Sequence, residues 1–463
     1  MHDGVSIALL TCDLRMHDSP VLHAAAAHGG TVPLFVLDDA VHAAGLAPPN
    51  RSAFLADCLA DLDRSLRRRG SRLIVLRGDT ATETARLADA VGAARVHVAA
   101  DASSFAQRRE AHLRKTLGDR LVVHETVATT VAPGAVLPFG RDHYAVFGAY
   151  HRQWALVPRR EPLAAPGTLH LPDGVQDVDA LPLDQVVSLL AKDGVAPGLP
   201  LGGEGNGRRR LWKWLDSASA RYDQLHDDLP GDATSHLSPY LHFGCLSATE
   251  VAHAVGATAT PGAEAFLRQL AWRDFHHQLL AARPDAATRD YRPRGDRWRT
   301  DPAALAAWCA GRTGYPLVDA GMRQLLHEGW MHNRARMITA SFLTKTLYLD
   351  WRAGAAHFAH HLVDADVANN QLNWQWVAGT GTDTRPNRVL NPLRQAQRFD
   401  PDGAYVRRWV PELAGVAGAA VHRPWLLAAP ARARLDYPEP IVALDASLSR
   451  FRQARGLHDD VRG

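Results

Sequence analysis

The chain is short of cysteine, of lysine and of long apolar runs. Its four cysteines, Cys12, Cys58, Cys245 and Cys309, stand far apart and form no CxxC pair. That spacing argues against a disulfide framework and a cysteine-based zinc site, and fits a reduced, cytosolic protein. No apolar stretch is long enough to cross a bilayer, and no basic segment leads into an apolar run at the N-terminus. Neither a membrane span nor a secretory signal is therefore expected. The 24 histidines include no HExxH or comparable ligand spacing. The adjacent pairs His276-His277 and His360-His361 would point in different directions on a helix, so no metal is expected. Lysine occurs only at 115, 192, 213 and 345; the remaining basic charge is arginine, whose planar fork suits phosphate. A net charge of +3 is too mild to announce a nucleic-acid partner by itself. Contents of 46% hydrophobic and 22% charged residues are ordinary for a globular protein.

What is present is ordered along the chain. Short apolar, often β-branched runs at 5–11, 31–37, 72–76, 96–100 and 121–127 alternate with amphipathic stretches such as 52–69 and 103–117. The alternation predicts an α/β domain over 1–130 with a doubly wound, Rossmann-like parallel sheet. Ser52 and Ser103 are expected as helix N-caps and Gly70 as a helix stop. The turn after the first strand, Thr11-Cys12-Asp13-Leu14-Arg15, carries no GxGxxG, so no dinucleotide phosphate cradle is expected there. Residues 131–205 are rich in Pro and Gly and read as a connector draped over the surface, with a helix near 146–156. From 206 to 463 the pattern is helical. Eleven of the 12 tryptophans, at 212, 214, 272, 298, 308, 330, 351, 374, 376, 409 and 425, fall in this larger all-α domain.

Four stretches carry chemistry. Thr234-Ser235-His236-Leu237-Ser238-Pro239 is a hydroxyl-rich loop entering a helix, with Ser238 as cap and Pro239 at the first helical position. It suits either a pyrophosphate at a helix N-terminus or an ordinary capped start. In a separate amphipathic stretch, 266–275, Gln269 and Trp272 share a helical face, with Arg273 beside them. The trio would grip a flat polar base, or else be a core indole beside a surface arginine. Asn333 and Met337 share a face of a further helix, an amide that can read a base edge beside a thioether that makes soft contact with a flat ring. The segment from Asp364 to Trp376 combines two carboxylates, a cluster of amides and two indoles, a mixture suited to a planar, polar, redox-active ligand.

Together with Gly311-Arg312-Thr313-Gly314-Tyr315-Pro316, Ala378-Gly379-Thr380-Gly381-Thr382-Asp383 and Trp409-Val410-Pro411-Glu412-Leu413, these stretches resemble the photolyase/cryptochrome family over nearly the whole chain. The resemblance is strongest to class I cyclobutane pyrimidine dimer photolyases of the actinobacterial, deazaflavin-antenna type. It implies light-driven repair of pyrimidine dimers in UV-damaged DNA by electron transfer from excited FADH⁻. It also implies a cytoplasmic monomer that needs no membrane and no obligate protein partner.

The resemblance assigns residues as well. Tyr222 and the loop of Thr234, Ser235, His236, Leu237 and Ser238 are expected on the ribityl-pyrophosphate part of FAD, with Arg273 nearby. Asp364, Ala365 and Asp366 are expected at its adenine-ribose and isoalloxazine region, with Arg336 pairing Asp364. Asn370 matches the residue facing flavin N5, where plant-type cryptochromes usually carry Asp and animal ones Cys. Trp374, Trp351 and Trp298 match the chain of electron donors used in photoreduction. Trp272 and Trp376 are expected to wall the lesion cavity, and Gln269, Asn333 and Met337 to meet the dimer. Arg334 and Gln395 are expected at the nearby DNA, with the arginines around 385–398 and 407–408 extending a phosphate track. Asn333 and Met337 stand where (6-4) photolyases carry histidines, and Gln269 stands where many dimer photolyases carry Glu. Arg51 and Asp101 match antenna contacts, expected to hold 8-hydroxy-5-deazaflavin, with methenyltetrahydrofolate or FMN as alternatives.

Two rivals remain. A cryptochrome-like photoreceptor is disfavoured by Asn370 and by the absence of a long tail between Trp409-Val410-Pro411 and residue 463. A flavin electron-transfer protein built on the N-terminal fold is disfavoured by the missing phosphate motif.

Overall fold

The computed structural model describes residues 4–27 and 29–457. By internal packing the chain divides into two units. The first comprises Met1–Val195, Pro200–Asp223 and Ser235–Pro284; the second comprises Ala196–Leu199, Gln224–Thr234 and Asp285–Gly463.

The first unit is built on the expected α/β sheet. Strands β1 (Val5–Leu9), β2 (Thr31–Asp38), β3 (Ile74–Gly78), β4 (Ala93–Ala99) and β5 (Leu121–His124) lie in the order β3-β2-β1-β4-β5. Every pairing is parallel. Parallel strands are covered on both faces, which is why they read as continuous apolar runs. Ile7, Leu34, Ile74 and Val96 are accordingly fully buried. The strand order reverses between β1 and β4, and at such a switch point a crevice opens beyond the carboxyl ends of the strands. Cys12 and Asp13 follow β1 there, and Asp101 follows β4.

Local signals succeeded at some helix ends and failed at another. Ser103 caps the helix Ser104–Leu117, its hydroxyl accepting from the Ala106 N–H at 3.2 Å. Gly70 takes a left-handed φ of 85° just past the helix Pro49–Arg67. Ser52, however, is not a cap. That helix starts earlier, at Pro49, because proline's fixed φ suits the first turn. Ser52 lies inside that turn and donates to the Ala47 carbonyl at 3.2 Å.

The Pro/Gly-rich stretch 131–205 forms its helix at Phe147–Trp154 and a second at Leu183–Leu190. It is tied to the sheet layer rather than lying loose over it. Thr31 N–H donates to the His170 carbonyl, Leu169 N–H to Arg69, and Leu181 N–H to Val75, each at 2.8 Å. Prolines set its turns, but Leu169 and Val175 between them are buried.

One buried carboxylate anchors the start of this stretch. Asp274, on the helix Pro261–Ala282, accepts from Thr130 N–H at 3.0 Å, Val131 N–H at 2.9 Å and the Trp154 indole N–H at 2.9 Å. Burial nevertheless pushes its pKa up to about 6, from an ordinary 3.8. A carboxyl raised on folding contributes most stability below its unfolded pKa and loses that contribution as pH rises through its folded pKa. The stability advantage of the parent over an Asp274→Asn variant should therefore shrink between about pH 4 and about pH 6 and stay level above. Chemical denaturation across that range measures it, and a pH-independent difference would refute the assignment.

The second unit is helical, around a core that includes Trp308, Phe342, Leu343, Trp351 and Trp374. The helix Asn333–Ser341 runs directly into a π-helical turn, Phe342–Thr346. The helix Trp351–His361 is capped by Asp350 and the helix Val367–Ala378 by Asp366. These two helices meet at Gly354. A Cβ there would lie 2.2 Å from Trp374 Cη2, so only glycine lets the indole rest on the neighbouring backbone. Among the described residues no helix is long and apolar enough to cross a membrane, and no group of three or more His, Cys, Asp or Glu could hold a metal ion.

Candidate active site

The polar segment that begins at Asp364 is held by three separate devices in the second unit. The Asp364 side chain is only 2% exposed and pairs with Arg336 through two parallel bonds, Nη1–Oδ1 at 3.1 Å and Nη2–Oδ2 at 2.8 Å. Arg336 is steadied by donating Nε–H to the Met331 carbonyl at 2.7 Å. Ala365 is buried beside it. Asp366 spends its carboxylate on the helix start: Oδ1 accepts from Asn369 N–H at 2.8 Å and Oδ2 from the Asn369 amide at 2.7 Å. The Asn370 amide nitrogen donates to the Ala355 carbonyl at 3.0 Å. With its donor end committed, Asn370 offers a carbonyl acceptor to any partner.

The three tryptophans singled out by sequence share one apolar cluster but differ in exposure. Trp374 and Trp351 are buried, whereas Trp298 is half-buried and packs against Tyr348 with ring centroids 5.0 Å apart. Trp351 donates its indole N–H to Asp290 Oδ1 at 2.9 Å.

The same unit holds several of the expected DNA-contact residues. Asn333 is exposed, and its amide reaches Met337 Sδ at 4.0 Å, so the two do share a face. Arg334 is not free toward solvent: its fork pairs with Asp227, and its guanidinium lies 4.4 Å from the Phe399 ring centre. Arg388 lies over the Trp376 ring at 5.2 Å. The Arg388 loop is pinned from behind by buried Lys345, which donates to the Pro386 carbonyl at 2.9 Å and the Arg388 carbonyl at 2.6 Å. The Gln395 Oε1 is buried without a hydrogen-bond partner. Arg385, Arg388, Arg394, Arg398 and Arg408 are exposed.

The first unit carries the remaining positions. Gln269 is exposed on the helix Pro261–Ala282, and half-buried Trp272 stacks flat on Phe147, centroids 3.7 Å apart and planes 7° from parallel. Arg273 donates to the backbone carbonyls of Ala128 and Leu241. Tyr222 stands edge-on to Trp214 and Phe266. In the loop, the Ser235 hydroxyl accepts from Leu237 N–H at 3.4 Å and His236 holds a left-handed φ of 52°. Such non-glycine strain is maintained only where the surroundings impose it. Ser238 does not cap the helix Ser238–His242. It is the helix's first residue, exposed, and the cap position falls to buried Leu237 without a side-chain bond. The helix begins one residue earlier than the Ser-Pro spacing suggests, because the Ser235 turn consumes the approach.

Arg51 is buried on the helix Pro49–Arg67, which follows β2, and near the sheet's switch point Asp101 accepts from Ser103 N–H at 2.9 Å. Burial, aided by Asp101 and Asp13, pushes the Cys12 thiol up to about 12, which makes it an inert neighbour rather than a nucleophile.

Sequence reading missed Phe147, Asp227 and Asp290. Each touches a singled-out side chain from a distant or separate segment, so no local spacing could have signalled it.

Two family profiles match the chain, one described as DNA photolyase over residues 6–167 and one as the FAD binding domain of DNA photolyase over residues 266–456. A deoxyribodipyrimidine photo-lyase of Streptomyces griseus is 59% identical over 459 residues, 98% of this chain and 100% of that one. The chain belongs to the photolyase/cryptochrome family. Among solved members, a bacterial class III photolyase from Agrobacterium tumefaciens superposes with a TM-score of 0.89 at 31% identity, covering 98% of each chain. An archaeal photolyase from Sulfolobus tokodaii, solved with two FAD molecules, gives 0.85 at 28% identity, covering 97% of this chain and 99% of that one. The family's flavin fits the donor set found in the second unit. A carbonyl acceptor at Asn370 suits a ring N–H, and in the Asp364–Arg336 pair the guanidinium meets both oxygens of a buried carboxylate.

Proposed function

We propose that the protein is a light-driven DNA repair enzyme that splits cyclobutane pyrimidine dimers, using FAD as its cofactor. The observation that carries this reading is the 59% identity, over nearly the full length, to a deoxyribodipyrimidine photo-lyase. When bound, the flavin supplies light-driven one-electron transfer; the protein supplies position, polarity and exclusion of water. Residues 1–130 are assigned to an antenna-binding α/β domain, 131–205 to a connector and 206–463 to the FAD-binding catalytic domain.

Within that reading the side chains divide into jobs. Tyr222, Thr234, Ser235, His236, Leu237, Ser238 and Arg273 are assigned to the flavin's phosphate side. Arg336, Asp364, Ala365, Asp366 and Asn370 are assigned to its nucleoside and ring, where the Asn370 carbonyl would accept from N5–H and so favour the reduced form used in repair. Trp374, Trp351 and Trp298 would return electrons from the surface inward, and the rise in exposure at Trp298 supports that direction. Gln269, Trp272, Asn333, Met337 and Trp376 are assigned to the dimer. Arg334 and Gln395 are assigned to the DNA, and the unsatisfied Gln395 oxygen supports a ligand there. Because Arg334 is already neutralised by Asp227, its share is to shape the site more than to bind phosphate. Arg51 and Asp101 would hold a planar, anionic antenna, read as 8-hydroxy-5-deazaflavin. The place of Asp101 beside the switch point of a parallel sheet supports a ligand in that crevice. The enzyme is read as a cytoplasmic monomer needing no obligate protein partner.

The deciding experiment illuminates purified, FAD-loaded protein with a dimer-containing oligonucleotide and follows loss of the lesion. Light-dependent restoration of the two pyrimidines is expected; lesions untouched while flavin photoreduction proceeds would move the protein to the photoreceptor class. A Gln269→Glu variant is expected to keep or modestly raise the repair yield, since a carboxyl at this exposed position can also hydrogen-bond the dimer. Repair that collapses in this variant with flavin still bound would overturn the reading that a carboxyl can serve in place of the Gln269 amide.

A further inference from the structure

The middle tryptophan of the assigned electron path has a charged setting of its own. Trp351 is fully buried, and its indole N–H donates to Asp290 Oδ1 at 2.9 Å. Asp290 lies far away in sequence and was not among the residues assigned to any role. The same oxygen accepts from Arg352 Nη2 at 2.8 Å. Arg352 is itself held by Asp350 Oδ1 at 3.1 Å and by the Thr288 carbonyl at 2.7 Å, and its guanidinium carbon lies 4.7 Å from the Trp351 ring centre. A carboxylate and a guanidinium therefore adjoin the indole, and a second carboxylate holds the guanidinium. One carboxylate bonds directly to the N–H, the atom whose acidity rises most when the ring loses an electron. Buried Trp308 offers a contrast, because its N–H donates to the neutral Thr339 carbonyl at 3.0 Å.

We propose that Asp290 is a positioning residue for electron transfer, one that stabilises the oxidised form of Trp351 and so draws the positive charge outward from Trp374. Arg352 opposes it and sets the balance. The proposal rests on the electron path assigned above, with the photoexcited flavin as the oxidant. One electron leaves the Trp351 indole for a Trp374 indole that has already lost one. Trp374 is restored, and Trp351 becomes a radical cation. Its N–H proton stays shared with the Asp290 carboxylate, so no bond breaks. An electron from Trp298 then restores Trp351, and the charge moves outward. A neutral acceptor would hold the ring in place equally well but would not favour the positive charge.

The test uses flash photolysis of the FAD-loaded protein carrying Trp298→Phe, so that the charge halts at Trp351. The lifetime of the oxidised-tryptophan signal is measured. Adding Asp290→Asn keeps the shape and an acceptor oxygen while removing the charge, and should shorten that lifetime by about tenfold or more. Adding Arg352→Gln instead removes the opposing cation and should lengthen it. A bond that only fixed the ring would give lifetimes unchanged, or shortened in both variants, and either result overturns the proposal. Should the Asp290 variant fail to retain flavin, the sign of the Arg352→Gln effect decides alone. The underlying path is checked separately with Trp351→Phe. Undiminished photoreduction in that variant would refute the path itself, whereas blocked photoreduction with charge-insensitive lifetimes would refute only the role of Asp290.

Discussion

Replacing Arg336 with methionine is expected to cost about 3–5 kcal/mol of stability and to strip the protein of FAD. The argument rests on what is left behind. Asp364 is 2% exposed at its side chain and receives both of its strong bonds from the Arg336 fork. Without the guanidinium a carboxylate remains buried with its charge uncompensated, a situation far costlier than losing the pair altogether. The double variant Arg336→Met/Asp364→Leu should therefore recover much of the stability while remaining poor in flavin. Denaturation midpoints and flavin absorbance of the purified variants measure the two effects separately. A single variant as stable and as yellow as the parent would show that Asp364 is satisfied from elsewhere.

Gly354→Ala is the second large effect, and its sign is diagnostic. On an exposed helix this exchange would gain about 1 kcal/mol, because alanine is the better helix former. Here the added Cβ would fall 2.2 Å from Trp374 Cη2 and 2.5 Å from Leu343 Cδ2. Both atoms belong to large side chains in a dense core, so neither can simply swing away. Overpacking of this kind costs about 1–3 kcal/mol and moves the innermost ring of the assigned electron path. A lower melting temperature is expected, together with flavin photoreduction slowed severalfold in protein that still binds FAD. A stabilised variant with normal photoreduction would mean that Trp374 can relocate at no cost.

Much of this could be read in the chain before folding. Alternating apolar runs and amphipathic stretches specified a doubly wound sheet, because a strand covered on both faces must be apolar throughout. The Ser103 cap and the Gly70 stop were legible because capping is a contact between residues three or four apart. Ser52 misled because a proline pair upstream started the helix first, and Ser238 misled because the Ser235 turn took over the approach to its helix. The Asn333–Met337 pair was legible from helical spacing alone.

Other features belong to the tertiary structure. The Asp364–Arg336 pairing was implied by resemblance, but only the fold shows that Arg336 occupies both carboxylate oxygens. Asn370 was recognisable by position, yet which end of its amide is available depends on the Ala355 carbonyl of a neighbouring helix. The Trp351–Asp290 bond, the Phe147–Trp272 stack and the Arg334–Asp227 pair join residues far apart in the chain. By itself the sequence determined the class of fold, the family and the types of residue available for chemistry, since these follow from short-range pattern and composition. The tertiary structure decided which charges are already neutralised, which amide end faces outward and which indole sits beside a carboxylate. Those are questions of proximity between distant segments, and only the folded chain brings such segments together.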